Sequence, residues 1–279
     1  MSRSIYLKRR SVSRVRPTGI LSIVVGLTLT PLPCFAATLA ASTAELQLFN
    51  FTHSPQTVET ITPIFTEAIS SDNGAIADAN AQALAEIGNN PSETIFINST
   101  LTEAAGEGLN YSATAEATAI GTGYDFFIPK NSTFGFNFDG LLGAIATTDG
   151  RSTEQATADS TIVIQIFSGS QPDDLSLIES LAFFGQSDRV NRRTALSVDY
   201  SDGFQVNHSN LPLVEFTGNF QRRFHQNTYI TLVEAKDSTA QVGRNAANST
   251  QVPTPSVIPA LSIVALKLCR KRADTSSTK

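Results

Sequence analysis

The sequence predicts an all-β fold, a single jelly-roll-like β-sandwich, and three observations lead to this prediction. Apolar or small residues alternate with polar ones over several long runs, which places one residue set on each face of a strand. About ten strand candidates are separated by Gly, Asn and Asp, a spacing typical of sandwiches. No sustained amphipathic helix is evident along the chain. An N-terminal signal peptide and a short hydrophobic C-terminal sorting tail complete the predicted organisation.

The first strand candidates lie in residues 45–52 and 58–65. Leu46 and Leu48 are predicted to point inward, with Asn50 as a third inward position on the same parity. The second segment is rich in β-branched and apolar residues. Residues 75–87 could form a helix or a strand, because their alanines alternate with period two while Ala and Glu also favour helices.

The middle of the chain carries the clearest alternation. Alanines recur at every second position from Ala113 to Ala119, and small or apolar residues do so from Ala156 to Ile166. Between these runs, residues 124–128 lead into a Pro-Lys-Asn turn that predicts a hairpin. Phenylalanines on one parity follow the turn and end at Asp139-Gly140, and Phe is expected to supply much of the core volume. Later strand candidates are 196–200, 204–206, 214–224 and 229–235.

The N-terminus has the features of a secretory signal peptide, assigned to residues 1–36. Six basic residues precede an apolar segment over 20–29, and Cys34-Phe35-Ala36 has small residues at the two positions that signal peptidase reads, with cleavage expected after Ala36. The implied partners are the secretory translocon and signal peptidase. Two weaker alternatives are a twin-arginine signal at Arg9-Arg10 and a lipoprotein signal at Cys34.

Removing the ends changes the charge of the protein. Six of the 20 Lys and Arg residues lie in the leader and five in the tail, whereas Asp274 is the only one of 25 Asp and Glu residues outside 37–251. The central segment therefore holds nine basic and 24 acidic residues, a net charge of −15. A domain this acidic is repelled by nucleic acid and by anionic membrane surfaces.

The central segment contains no cysteine, because both cysteines lie in the terminal segments. Disulfide staples, zinc-thiolate sites and thiol catalysis are therefore excluded there. A segment of this length can bury a core without disulfides. We predict a β-sandwich domain over 37–240 and a polar linker over 241–251.

The C-terminal segment, 252–279, places two prolines before a short apolar run and a basic cluster. Residues 257–268 offer twelve positions, fewer than the roughly twenty needed to span a bilayer. The segment is therefore expected to associate with the membrane only transiently. A GPI signal is disfavoured because the chain continues past the apolar run through basic residues.

This order of residues resembles the PEP-CTERM sorting signal of exported bacterial proteins. The resemblance covers Pro253, Thr254 and Pro255, with Thr254 where the family has Glu, and the basic stop Arg270, Lys271 and Arg272. It implies processing by an exosortase-like enzyme and a final location in the cell envelope, at the cell surface or outside the cell, in association with exopolysaccharide. The alternative is an unstructured tail with a chance apolar patch.

Residues suited to catalysis or metal binding form no recognisable motif. His53, His208 and His225 are scattered, and the paired aspartates lie in turn contexts. We therefore predict no cofactor, with one calcium alternative at Asp199, Ser201 and Asp202. Two basic patches, 189–193 and Arg222-Arg223, fit salt bridges better than a polysaccharide site.

These observations favour a non-enzymatic exported protein with a structural or adhesive role. A carbohydrate-binding module is the alternative, and it predicts exposed aromatic platforms. A glycoside hydrolase or lyase is the third hypothesis, and it requires carboxylates converging in a cleft.

Overall fold

The computed structural model describes residues 38–71, 74–90, 93–148, 153–169, 174–188, 195–209 and 213–244. These residues are almost entirely β and form two antiparallel sheets, which confirms the all-β prediction. No helix among them has the length and apolar character needed to cross a membrane. The strands of this part of the chain are β1 (Thr38–Phe49), β2 (Thr57–Ile61), β3 (Ile64–Ser70), β4 (Ile76–Asn90), β5 (Glu93–Glu107), β6 (Tyr111–Ile128), β7 (Thr133–Thr147), β8 (Glu154–Ser168), β9 (Ser176–Asp188), β10 (Ala195–Tyr200), β11 (Phe204–His208), β12 (Leu213–Arg223) and β13 (Thr228–Arg244).

The first sheet, sheet A, has the order β11-β12-β7-β1-β5-β4, and the second, sheet B, has the order β10-β9-β8-β13-β6-β2. Strand β3 also pairs with β6, so β2 and β3 share one edge of sheet B, on either side of Pro63. Strand β13 pairs with β6 and β8 along almost its whole length. Its register shifts between Ile230 and Leu232, opposite Asp125, which has a positive φ of 57°.

Side chains from both sheets meet in a phenylalanine-rich cluster. Phe216 of sheet A and Phe183 of sheet B stack with ring centroids 4.0 Å apart. Both side chains are buried. The phenylalanine cluster also contains Leu48, Phe138 and Leu232. The prediction that Phe supplies much of the core is confirmed.

Small residues form a second buried group, the alanine cluster, at the opposite ends of several strands that contribute to the phenylalanine cluster. Ala40, Ala104, Ala146, Ala158 and Ala240 belong to it, with Tyr111 as its largest member. The Tyr111 hydroxyl donates a hydrogen bond to Thr38 Oγ1 at 2.6 Å. The alternating alanines therefore mark strands whose small side chains face the interior.

The structure resolves the open assignment of residues 75–87 in favour of a strand. Strand β4 pairs with β5 without interruption from Ile76 opposite Glu107 to Asn90 opposite Glu93. Ala81 and its neighbours pack against Ala115 and Ala117 of sheet B. Contacts on one parity of the strand therefore outweigh the helical propensity of alanine.

Several predicted boundaries are wrong. The expected break at Asp139-Gly140 lies inside β7, because Gly140 leaves room for the Phe216 ring: a Cβ there would lie 2.4 Å from Phe216 Cζ. Asn50 is exposed with a φ of 56°, so it turns the chain after β1 and does not point inward. Strand β13 continues to Arg244, past the expected end of the last strand candidate at Ala235.

Candidate functional site

Polar side chains occupy the interior between the phenylalanine cluster and the alanine cluster. Buried Ser42 and Thr102 are opposite each other in sheet A, and buried Ser160 and Ser238 are opposite each other in sheet B. We call this group the polar layer. Its buried members are Ser42, Asn98, Thr100, Thr102, Ser160, Glu234, Lys236 and Ser238.

Hydrogen bonds cross from one sheet to the other within the polar layer. Thr100 Oγ1 and Ser238 Oγ are 2.7 Å apart. Two positions before Thr100 on β5, Asn98 Nδ2 donates a hydrogen bond to Glu234 Oε2 at 2.7 Å. Hydrogen bonds of this kind offset the cost of removing polar groups from water.

Glu234 and Lys236 form a buried ion pair at the centre of this layer. They are two positions apart on β13, so their side chains leave the same face of the strand. Lys236 Nζ contacts Glu234 Oε1, and neither side chain is exposed to solvent. The Glu234 carboxylate therefore bridges the Lys236 amine and the Asn98 amide.

Burial acts on the protonation equilibrium of the lysine. Desolvation lowers the pKa of Lys236 well below its ordinary value, and the charge of Glu45 on β1 opposes that shift. The pKa of Glu45 is itself raised by its partial burial, with Lys236 acting in the opposite direction. The neutral form of a lysine, which desolvation favours, has a free lone pair and is a nucleophile, whereas the ammonium form is not.

The Asn98 amide is incompletely satisfied and tightly enclosed. Its Oδ1 atom has no hydrogen-bond partner among the described residues, although it is buried. Gly121 of β6 lies against the amide, because a Cβ on Gly121 would be 3.0 Å from Asn98 Nδ2 and 3.3 Å from Phe96 Cδ1. Buried polar atoms are nearly always hydrogen-bonded, so an unpaired carbonyl oxygen in the same site as a buried amine is unusual.

Two further features lie on the surface of sheet B. Phe127 and Tyr229 are opposite each other on β6 and β13, with ring centroids 5.4 Å apart, and both are partly exposed.

On the same sheet, Thr118 Oγ1 donates a hydrogen bond to Asp237 Oδ1 at 2.8 Å. Burial raises the pKa of Asp237, and this hydrogen bond opposes the shift.

The edge formed by β2 and β3 is apolar and open. Every residue of β3 is exposed, and among the described residues β3 pairs only with β6. Ile64, Phe65 and Ile69 are each at least half exposed. We call β2 and β3, with these side chains, the apolar edge.

The sequence-predicted sorting residues lie outside the described residues. These are Ala36, Pro253, Thr254, Pro255, Arg270, Lys271 and Arg272. The basic patch at 189–193 also lies outside them. Arg222 lies within them and forms a salt bridge with Glu179, as expected for a paired surface charge.

The structure places the calcium alternative at the end of β10, which contains Asp199, and in the turn to β11, which contains Ser201 and Asp202. Asp199 and Asp202 are exposed there, while Ser201 Oγ accepts a hydrogen bond from the Ser180 amide at 3.0 Å. The three histidines are separate, with His53 half-buried and His208 and His225 exposed. No group of three or more His, Cys, Asp or Glu side chains suited to a metal ion occurs in the described ranges.

Sequence reasoning missed Asn98, Glu234 and Lys236. The last strand candidate, 229–235, ended one residue before Lys236, and no role was given to Glu234 within it. One signal was available: Lys130 and Lys236 are the only lysines in 37–251, and Lys236 shares its parity with Ile230, Ala240 and Val242. A lysine on the apolar parity of a strand indicates a buried charge.

Comparisons of the chain with protein-family models, with curated proteins and with solved structures find no match.

Proposed function

We propose that this chain is an exported, non-enzymatic protein of the cell envelope or extracellular matrix with a structural or adhesive role. In this proposal the two sheets form one jelly-roll-like sandwich, and the PEP-CTERM-like tail directs sorting and exosortase-type cleavage. The leader, the strongly acidic body and the absence of cysteine in 37–251 support export of a domain that folds without disulfides.

The apolar edge is the observation that carries the structural or adhesive role. Exposed strands with apolar side chains offer unpaired backbone groups to another strand, and most proteins protect such edges. Sheet B also ends in a short exposed strand on its other side, β10. A second copy could add its β10 to the apolar edge and extend sheet B from one copy to the next.

Association of purified protein tests this role. We expect sedimentation velocity to reveal concentration-dependent association that strengthens with salt, because salt screens the repulsion between copies of charge −15. Phe65→Lys should abolish it. Ile145→Lys, an exposed position on an inner strand of sheet A, is the matched control and should leave it unchanged. A wild-type protein that stays monomeric at all concentrations would contradict the assembly.

Mass spectrometry of the protein from its native cells tests the sorting proposal separately. A mature C-terminus near Pro255 is the expected result, together with an N-terminus after Ala36. A chain that is intact through Lys279 in both cell and medium fractions would refute processing.

A carbohydrate-binding module is the second candidate, and the Phe127–Tyr229 pair favours it. Adjacent exposed rings on a sheet surface can stack against sugar rings. The fitting ligand is an exopolysaccharide. Binding on a glycan array that is lost in Tyr229→Ala would support this function, and no binding by the wild type would reject it.

A further inference from the structure

Three groups that can react with one another meet inside the protein: the Lys236 amine, the Asn98 carboxamide and the Glu234 carboxyl. Glu234 contacts the other two through different oxygens, Oε1 to Lys236 Nζ and Oε2 to Asn98 Nδ2 at 2.7 Å. Because both nitrogens contact one carboxylate, the amine and the amide are neighbours. We infer that Lys236 and Asn98 become joined by an isopeptide bond between Nζ and Cγ, with Glu234 moving the protons.

The surroundings favour the reactive protonation states. Asn98, Glu234 and Lys236 are almost completely buried. Two members of the phenylalanine cluster adjoin them: Phe96 lies two positions before Asn98 on β5, and Ile164 is opposite Glu234 in the pairing of β8 with β13. In such a medium a charged ammonium–carboxylate pair is costly relative to a neutral amine and a protonated carboxyl. Transfer of one proton from Lys236 to Glu234 yields both neutral groups, in agreement with the lowered pKa of Lys236.

The bond-forming step balances without any other reactant. The Nζ lone pair attacks Cγ of Asn98, and the carbonyl electrons move onto Oδ1, which a protonated Glu234 stabilises after rotation of the amide. The Cγ–Nδ2 bond then breaks. Glu234 carries a proton from Nζ to Nδ2, so that ammonia leaves and Glu234 recovers its starting proton. A primary amine and a primary amide give a secondary amide and ammonia, with no oxidation or reduction.

Two observations distinguish this site from a simple buried ion pair. The Asn98 Oδ1 atom is buried without a hydrogen-bond partner, so it can accept a hydrogen bond. A protonated Glu234 can donate that hydrogen bond, whereas an ionised Glu234 can only accept. Gly121 also allows close approach of the amide to the opposite sheet, since a Cβ there would crowd both Asn98 and Phe96. A purely structural ion pair requires neither feature.

The bond would join β5 of sheet A to β13 of sheet B. It would close a covalent ring over the 138 positions that separate Asn98 from Lys236. The cysteine-free domain would thereby gain a covalent crosslink that needs no oxidising environment. This inference does not depend on the proposed function, because the bond forms within one chain whatever the chain binds.

Mass spectrometry of the folded wild-type chain is the deciding experiment. The expected intact mass is that of the sequence between the observed termini minus one ammonia molecule. Proteolysis should release a branched peptide in which the segment containing Asn98 is attached to Lys236. An intact mass without this loss would overturn the inference. Loss of ammonia with an unbranched Lys236, the result of an imide formed at Asn98 and Ser99, would also overturn it.

Amine labelling in denaturant gives a second readout that does not depend on any variant folding. Lys130 should be modified by reductive methylation, whereas Lys236 should be protected in the wild type. Modification of both lysines in the wild type would refute the bond.

Variants identify the role of Glu234. Glu234→Gln should retain the full sequence mass and leave Lys236 open to labelling, because Gln has a similar shape but cannot transfer the protons. Lys130→Met, the control, should still lose ammonia. A linked Glu234→Gln protein would contradict the assigned role of the carboxyl.

Discussion

Truncation of Phe183 tests the packing of sheet A against sheet B. Phe183 is fully buried and stacks on Phe216 of the other sheet with centroids 4.0 Å apart. Removing a buried phenyl ring loses its transfer free energy and leaves a cavity, which together cost about 3–5 kcal/mol. The stacked contact places Phe183→Ala near the upper part of this range. In a domain of this size the loss lowers the Tm by about 8–20 °C.

Phe184→Ala provides a matched control on the neighbouring residue of β9. Phe184 points to the opposite face of sheet B and is 42% exposed, so its truncation should change the free energy of unfolding by about 0.5 kcal/mol or less. Urea denaturation followed by far-UV circular dichroism measures both variants against the wild type. Equal losses for the two variants would refute the assignment of the Phe183 face to the interior.

Two further predictions concern carboxyl groups and glycines. Burial raises the pKa values of Glu45, Glu116, Asp139 and Asp237, so the native state binds more protons than the unfolded state below neutral pH. Stability is therefore expected to increase as the pH falls from neutral toward the raised pKa values and to be lost as the pH rises through them. Urea midpoints across this range measure the effect, which Asp237→Asn should reduce; a midpoint that falls steadily on mild acidification would contradict it. Gly140→Ala should destabilise the protein by about 1–3 kcal/mol through overpacking, because the new Cβ would meet Phe216 and the Glu45 carbonyl. Gly88→Ala, which has open space at its Cβ, should be nearly neutral in the same thermal unfolding assay, and equal effects at the two glycines would count against the close contact at Gly140.

Alternation predicted the strands well wherever one face is apolar and the other polar. Ala156 and Ile162 have buried side chains on the predicted parity of β8, and Leu46 and Leu48 do so on β1. Strand length was underestimated, because Asp139-Gly140 was interpreted as a strand end. Gly140 lies inside β7, where the missing Cβ admits the ring of Phe216, its cross-strand neighbour on β12 of the same sheet. Gly121 lies inside β6, where the missing Cβ admits the Asn98 amide from the facing sheet. Both neighbours are distant in sequence, and no local pattern reveals them.

The buried group of Asn98, Glu234 and Lys236 could not be predicted for a related reason. Asn98 and Lys236 lie on different sheets, and their proximity depends on the positions of β5 and β13 in the strand order of the two sheets. Lys236 alone carried a local signal through its parity with Ile230 and Val242. Asn98 carried a weaker one through its parity with Phe96, Thr100 and Ala104.

The position of β13 has a consequence for the order of folding. Strand β13 is the last described strand in the sequence, yet it occupies the interior of sheet B between β6 and β8, with Arg244 opposite Tyr111. Sheet B therefore remains split into two parts until the end of the domain has been synthesised. Pairing between such distant segments is slow, because loop-closure entropy must be overcome first. A chain that emerges from its N-terminus would thus complete sheet B only when its final strand is available.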